Sequence, residues 1–279
     1  MDKPKKLLDN PLLGSLVMPI AVILVASIII FGGSKLLFTE RSHKDLVYEM
    51  KSKTFGNRWV AAFELSKLIS SSSIPQKDIP QLVDDLASIY RVSQDPRTRD
   101  FLIVAFGALK SPQSLPILSY SLQKETNPNI LFHTIVALGN MPEGVEFDWD
   151  VLISYLDQSD NGLKHAAILA LANHHVEASY PKIETLLSNE DRGIRFAAAT
   201  ALISSKNQKV IPVLKEILSL NQNDKFKPQE LTGLKLNVLN ELEKSKWADV
   251  KNLVFKMMQD EENIQLKARA EEVYKDLNN

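Results

Sequence analysis

The sequence predicts an all-α protein, a solenoid of about seven helix pairs preceded by one transmembrane helix. Three observations predict it. No charged side chain occurs between Asp9 and Lys35. From about residue 43 onward, apolar residues recur at spacings of three and four, prolines stand at segment starts, and no alternating strand runs interrupt them. A nine-residue pattern then returns at intervals close to 32 residues, the period of a stacked repeat rather than of a compact domain.

The uncharged segment has the core "LLGSLVMPIAVILVASIIIF". About 20 apolar residues suffice to cross a bilayer, so the segment reads as an anchor. A cleaved signal peptide carries an apolar run of only about 7 to 15 residues and ends in a small-x-small site, and none follows Phe31. The expected organisation is a tail over 1–11, a transmembrane helix over 12–34, a juxtamembrane linker over 35–42 and a repeat domain over 43–279. Lys3, Lys5 and Lys6 before the span nearly balance Lys35, Arg41 and Lys44 after it. The compact "KPKK" beside so short a tail favours a cytoplasmic N-terminus and repeats outside the cytoplasm.

Seven copies of the pattern are legible: "NRWVAAFEL" at 57, "TRDFLIVAF" at 98, "ILFHTIVAL" at 130, "LKHAAILAL" at 163, "IRFAAATAL" at 194, "LKLNVLNEL" at 234 and "LKARAEEVY" at 266. The two long intervals contain the insertions "SSSSIPQKD" and "NQNDKFKPQ". Paired small residues let neighbouring layers approach closely, which accounts for the alanines. Between copies lies a second helix that often opens on proline, at Leu115, Tyr180 and Ile211; proline suits the first helical turn because its missing N–H had no partner there. Trp149 and Trp247 stand at comparable positions and read as packing groups. Asp95, Asn127, Asp160 and Asp191 precede the patterned helices as N-cap candidates.

These residues resemble the HEAT-repeat family, in particular its short-repeat form found in phycobilin lyases. The resemblance rests on the "VRxxAAxAL"-like core, the polar turn before it and the proline-led helix, over roughly residues 43–279; Asp100, "NVLNEL" and "ARAEEVY" depart from it. It implies a right-handed solenoid of HEAT-like helix pairs, with the proline-led helices convex and the pattern helices lining a concave groove. The basic residue of the pattern forms a row, Arg58, Arg99, Lys164, Arg195, Lys235 and Lys267, broken by Leu131. Asp95 and Asp191 stand four residues before Arg99 and Arg195, so a ladder of capping carboxylates and basic groups is expected to register the repeats.

Positions three and seven of the pattern share one helix side. There the residues are Trp59, Asp100, Phe132, His165, Phe196, Leu236 and Ala268, then Phe63, Val104, Val136, Leu169, Thr200, Asn240 and Glu272. An apolar stripe of Trp59, Phe63, Phe132, Val136, Leu169 and Phe196 is therefore the expected partner-binding surface, fading to polar in the last two repeats; the competing expectation is that these side chains enlarge the core.

Other chemistry is not predicted. Basic and acidic residues nearly cancel, 33 against 34, which leaves no electrostatic footprint for nucleic acid. Absent cysteine excludes disulfides, thiolate metal sites and Cys nucleophiles, and fits either redox compartment. His43, His133, His165, His174 and His175 include no i, i+4 pair, and each reads as solvated or capping. No phosphate-loop, nucleophile-elbow or zinc-protease spacing is present. The ten lysines between Ser204 and Met257 read as a solvated face. The expectation is a single-pass membrane-anchored interaction scaffold without catalysis, cofactor or metal. The alternatives are an accessory factor resembling phycobilin lyases, and a non-catalytic subunit of an envelope transport or secretion complex.

Overall fold

The computed structural model describes residues 41–52, 56–71, 74–221, 224 and 226–278. The expected transmembrane segment 12–34, with the tail before it, lies outside the described residues. Among the described residues, no helix is long and apolar enough to cross a membrane.

The chain divides into two compact units, Met1–Gly56 and Asn57–Asn279. In the first, helix α1 (His43–Lys51) opens with a reciprocal cap. Ser42 Oγ accepts from the Asp45 N–H, and the Asp45 carboxylate accepts from the Ser42 N–H, so two otherwise orphaned donors are satisfied. Arg41 pairs with Glu49 at 2.9 Å, tying the chain before the helix to its last turn.

In the second unit the nine-residue copies lie on helices α2 (Arg58–Ser71), α4 (Pro96–Leu109), α6 (Pro128–Gly139), α8 (Asn161–Asn173), α10 (Arg192–Ala201), α12 (Pro228–Ser245) and α14 (Ile264–Asp276). Each packs on the next in chain order, from α2 on α4 to α12 on α14. Between them run α3 (Ile79–Val92), α5 (Leu115–Lys124), α7 (Asp150–Ile153), α9 (Tyr180–Thr185), α11 (Ile211–Ser219) and α13 (Lys251–Asp260). Each intervening helix packs on the pattern helix that follows it. Among the described residues the stack thus begins and ends on a pattern helix, with one intervening helix fewer than pattern helices.

Small residues set the layer spacing. Ala61, Ala62, Ala167, Ala198 and Ala199 are completely buried. The closest approach is made by glycines. A Cβ added at Gly107 of α4 would stand 2.9 Å from Ala137 Cβ and 3.0 Å from Ala137 Cα on α6, and one added at Gly139 of α6 would stand 3.1 Å from Ala170 on α8. No other residue type lets the backbones come so near.

The expected caps form. Asp95 accepts from the Arg97 N–H, Asn127 from Asn129, Asp160 from Leu163, and Asp191 from both Gly193 and Ile194. Prolines sit in the first turns of α5, α9 and α11. Helix stops were less legible, because lysines rather than glycines hold the left-handed C-cap conformation at Lys110 (φ 49°) and Lys246 (φ 47°).

Candidate partner-binding site

The basic row and the apolar row of the pattern do different work. Arg99 and Arg195 turn away from the capping carboxylates. Arg99 Nε donates to Glu125 Oε1 at 2.6 Å, and its Nη1 donates to the Ser93 carbonyl at 3.1 Å. Arg195 repeats the arrangement, with Nη2 2.9 Å from Glu216 Oε1 and Nη1 2.7 Å from the Asn189 carbonyl. Each arginine therefore ties the C-terminal carbonyl of the preceding intervening segment to a carboxylate supplied by the following one. This corrects the expected ladder: Asp95 and Asp191 are caps, and Asp95 pairs with Arg97 instead. A capping carboxylate already points at the backbone N–H groups of its own helix, whereas Glu125 and Glu216 approach from the next layer.

The first bridge extends into the core. The Tyr90 hydroxyl donates to Glu125 Oε1 at 2.6 Å and lies 3.0 Å from Ser121 Oγ, which is 2.7 Å from Thr134 Oγ1. Burial and the adjacent carboxylate push the Tyr90 phenol well above its ordinary pKa. Lys235 keeps the carboxylate contact, with Nζ 2.6 Å from Glu261 Oε2, although it is only 3% exposed; it does not belong to the solvated row expected of the lysines between Ser204 and Met257.

Three residues of the apolar row remain open to solvent, on three of the first four pattern helices: Phe63 on α2 at 43% exposure, Val136 on α6 at 37% and Leu169 on α8 at 42%. Trp59 and Phe132 are half-buried. The Arg97 guanidinium lies 4.8 Å over the Trp59 ring, and Phe132 stands edge-on to His133 at 5.5 Å. Phe101, which the pattern placed beside the row rather than in it, joins Phe63 with ring centroids 5.1 Å apart. Its signal was the aromatic residue following Asp100. Phe196 departs from the other five. It is 2% exposed, faces Phe226 from the second insertion at 6.3 Å, and has Arg192 and Arg195 over its ring at 5.4 and 5.5 Å. The stripe is therefore divided, with Phe196 in the core as the competing expectation required.

The polar interruption is a hydrogen-bonded pair of Asp100 and His133. The His133 Nδ1–H donates to Asp100 Oδ1 at 2.6 Å, linking α4 to α6 between the apolar positions. That bond holds the His133 pKa above its ordinary value. Burial pushes His165 and His174 the other way. His174 is the C-cap residue of α8, its backbone N–H donating to the Ala170 and Ala172 carbonyls, and its side chain is half-buried. Its Nε2–H donates to the Leu138 carbonyl at the end of α6, and its ring stacks on Trp149 with centroids 4.1 Å apart. Trp149 and the buried Trp247 are packing groups, as expected.

Residues 149–228 match the sequence family described as HEAT repeats. No curated protein sequence matches the chain. Among solved structures, the complex of CpcE and CpcF of phycocyanin lyase from Nostoc sp. PCC7120 is similar at 15% identity and a TM-score of 0.57, over 85% of this chain and 95% of that one. Escherichia coli YibA is similar at 15% identity and a TM-score of 0.53, over 84% and 81%. At these identities the likeness is one of fold. The described residues form an all-helical repeat solenoid, and residues 149–228 of it carry HEAT-repeat sequence.

Proposed function

We propose that this protein is a scaffold without catalysis that binds a protein partner along the pattern helices, in the concave groove of a right-handed solenoid. The observation that carries the reading is the exposure of Phe63, Val136 and Leu169, all at position seven of their copies, on helices whose other apolar side chains are buried or half-buried. Apolar side chains kept at solvent on equivalent positions of a rigid stack suit an amphipathic helix, which presents its own apolar face at matching intervals. A single-pass anchor through residues 12–34, with the repeats outside the cytoplasm, completes the proposal and rests on the uncharged segment alone.

The test is crosslinking in intact cells from a photoreactive residue at position 169. A discrete adduct that disappears when Phe63 and Val136 are replaced by Ser supports the groove. An adduct indifferent to those replacements overturns it. Two other readings stand beside it: an accessory factor for bilin attachment, which the likeness to the phycocyanin lyase structure favours, and a non-catalytic subunit of an envelope transport or secretion complex, which no feature of the described residues favours. Bilin absorbance that copurifies after co-expression with a bilin source would favour the first of these.

A further inference from the structure

The open face from α2 to α8 carries a single carboxylate. At positions three and seven of the first four copies, Asp100 is the one acidic residue, and apart from His165 the others are apolar. The Asp100 side chain is 23% exposed and that of His133 36%, so water reaches both members of the pair. His133 occupies Asp100 Oδ1, and Oδ2 has no partner among the described residues. A carboxylate offers about four lone-pair sites, so most of its accepting capacity is left to solvent.

The chain itself supplies no cation there. Arg97 of the same helix is held by Asp95 and lies over the Trp59 ring, and Arg99 is held by Glu125 and the Ser93 carbonyl. Helix α6 contains neither lysine nor arginine. A wholly apolar partner surface laid across this face would strip water from Oδ2 and return nothing, a costly exchange. That holds whether the His133 ring is neutral or protonated, because its one bond goes to Oδ1. A basic group from the partner removes the cost, and a charge-assisted hydrogen bond shielded from water is among the stronger ones.

We propose that the partner segment is an amphipathic helix whose apolar face carries one lysine or arginine, which donates to Asp100 Oδ2 while its apolar side chains cover Phe63, Val136 and Leu169. This rests on the protein-binding reading above and adds the chemistry of the partner. Asp100 is then the specificity determinant of the face, admitting a helix with a basic residue in that register and rejecting one with an acidic or uncharged residue there. The face crosses four helices, which at ordinary interhelix spacings is about 30 Å, the length of about 20 helical residues.

The test uses the full chain in intact cells, with p-benzoylphenylalanine at position 169 and the captured peptide identified by mass spectrometry. The expected peptide has helical apolar periodicity and a lysine or arginine on its apolar face. Asp100→Asn keeps an acceptor for His133 and removes the charge; it is expected to lower the adduct about tenfold, the equivalent of one hydrogen bond to a charged group. His133→Asn keeps a donor to Asp100 and is expected to leave the adduct within about twofold of wild type. A captured peptide with no basic residue on its apolar face overturns the proposal. So does undiminished capture by Asp100→Asn, or an equal loss in the two variants, which would mark a purely structural pair. The captured peptide decides the matter even if neither variant folds. An adduct that Phe63→Ser and Val136→Ser abolish but Asp100→Asn spares ends this proposal and leaves the protein-binding reading standing, whereas no adduct in the wild-type chain ends both.

Discussion

Arg99 and Glu125 meet at 2.6 Å across two segments, and the same arginine holds the Ser93 carbonyl, so one side chain joins three consecutive parts of the chain. Both groups are partly buried. Glu125→Gln keeps the shape and removes the charge, and is expected to cost about 1 to 3 kcal/mol, below the figure for a fully buried pair because water reaches the guanidinium. Asp95→Ala is expected to cost about 1 kcal/mol through its cap alone. Urea denaturation of the two variants and their double mutant checks this: strong coupling between the positions would restore Asp95 as Arg99's partner.

Glycines in helices give a paired test with opposite signs. Replacing a helical Gly by Ala gains up to about 1 kcal/mol by propensity, and Gly233→Ala should show that gain because nothing stands within 4 Å of the new Cβ. Gly107→Ala meets Ala137 backbone at 3.0 Å and should instead lose about 1 to 3 kcal/mol. Equal melting shifts of the same sign would show that the α4–α6 contact is looser than its geometry.

Serine replacements separate face from core. Phe63→Ser and Val136→Ser are expected to leave melting within about 1 kcal/mol of wild type while abolishing the crosslink from position 169. Phe196→Ser should cost about 3 to 5 kcal/mol, as truncation of a buried Phe does, whatever its effect on partner capture.

The Asp100–His133 pair predicts a pH dependence. The folded pKa of His133 lies above the unfolded one, so its contribution is fully present below about pH 6.5 and is lost as pH rises through the folded value. His165 and His174, whose values are lowered, work in the opposite direction, and their contributions are lost on acidification. The wild-type profile mixes these effects. The difference between wild type and His133→Asn should isolate the first, being larger at about pH 6 than at about pH 8.5. A difference independent of pH would mean that the pair does not form in solution.

The anchor is tested by fractionation. Carbonate-washed membranes should retain the full chain, whereas a chain beginning at Ser42 should be recovered in the supernatant. Protease added to spheroplasts should cleave within Ser70–Lys77 if the repeats face outward. Recovery of the intact full chain in the soluble fraction ends this part of the proposal.

The repeat was legible in the sequence because stacking imposes one-dimensional demands. Alanine pairs, an N-cap such as Asp160 and a proline such as Pro212 each answer a need within their own helix or against the adjacent layer, and such needs recur at a fixed period. The uncharged segment was legible for a similar reason, since a bilayer asks only for length and apolarity. Tertiary structure alone decided which carboxylate Arg99 takes, that Lys235 is buried, and that Phe196 leaves a stripe its copies share with Phe63 and Val136. Those outcomes depend on groups distant in sequence, Glu125, Glu261 and Phe226, whose arrival is set by how one layer seats on the next and by where an insertion folds back. A nine-residue pattern records which side of its helix a residue occupies, but the neighbour that will cover that side is supplied by another part of the chain.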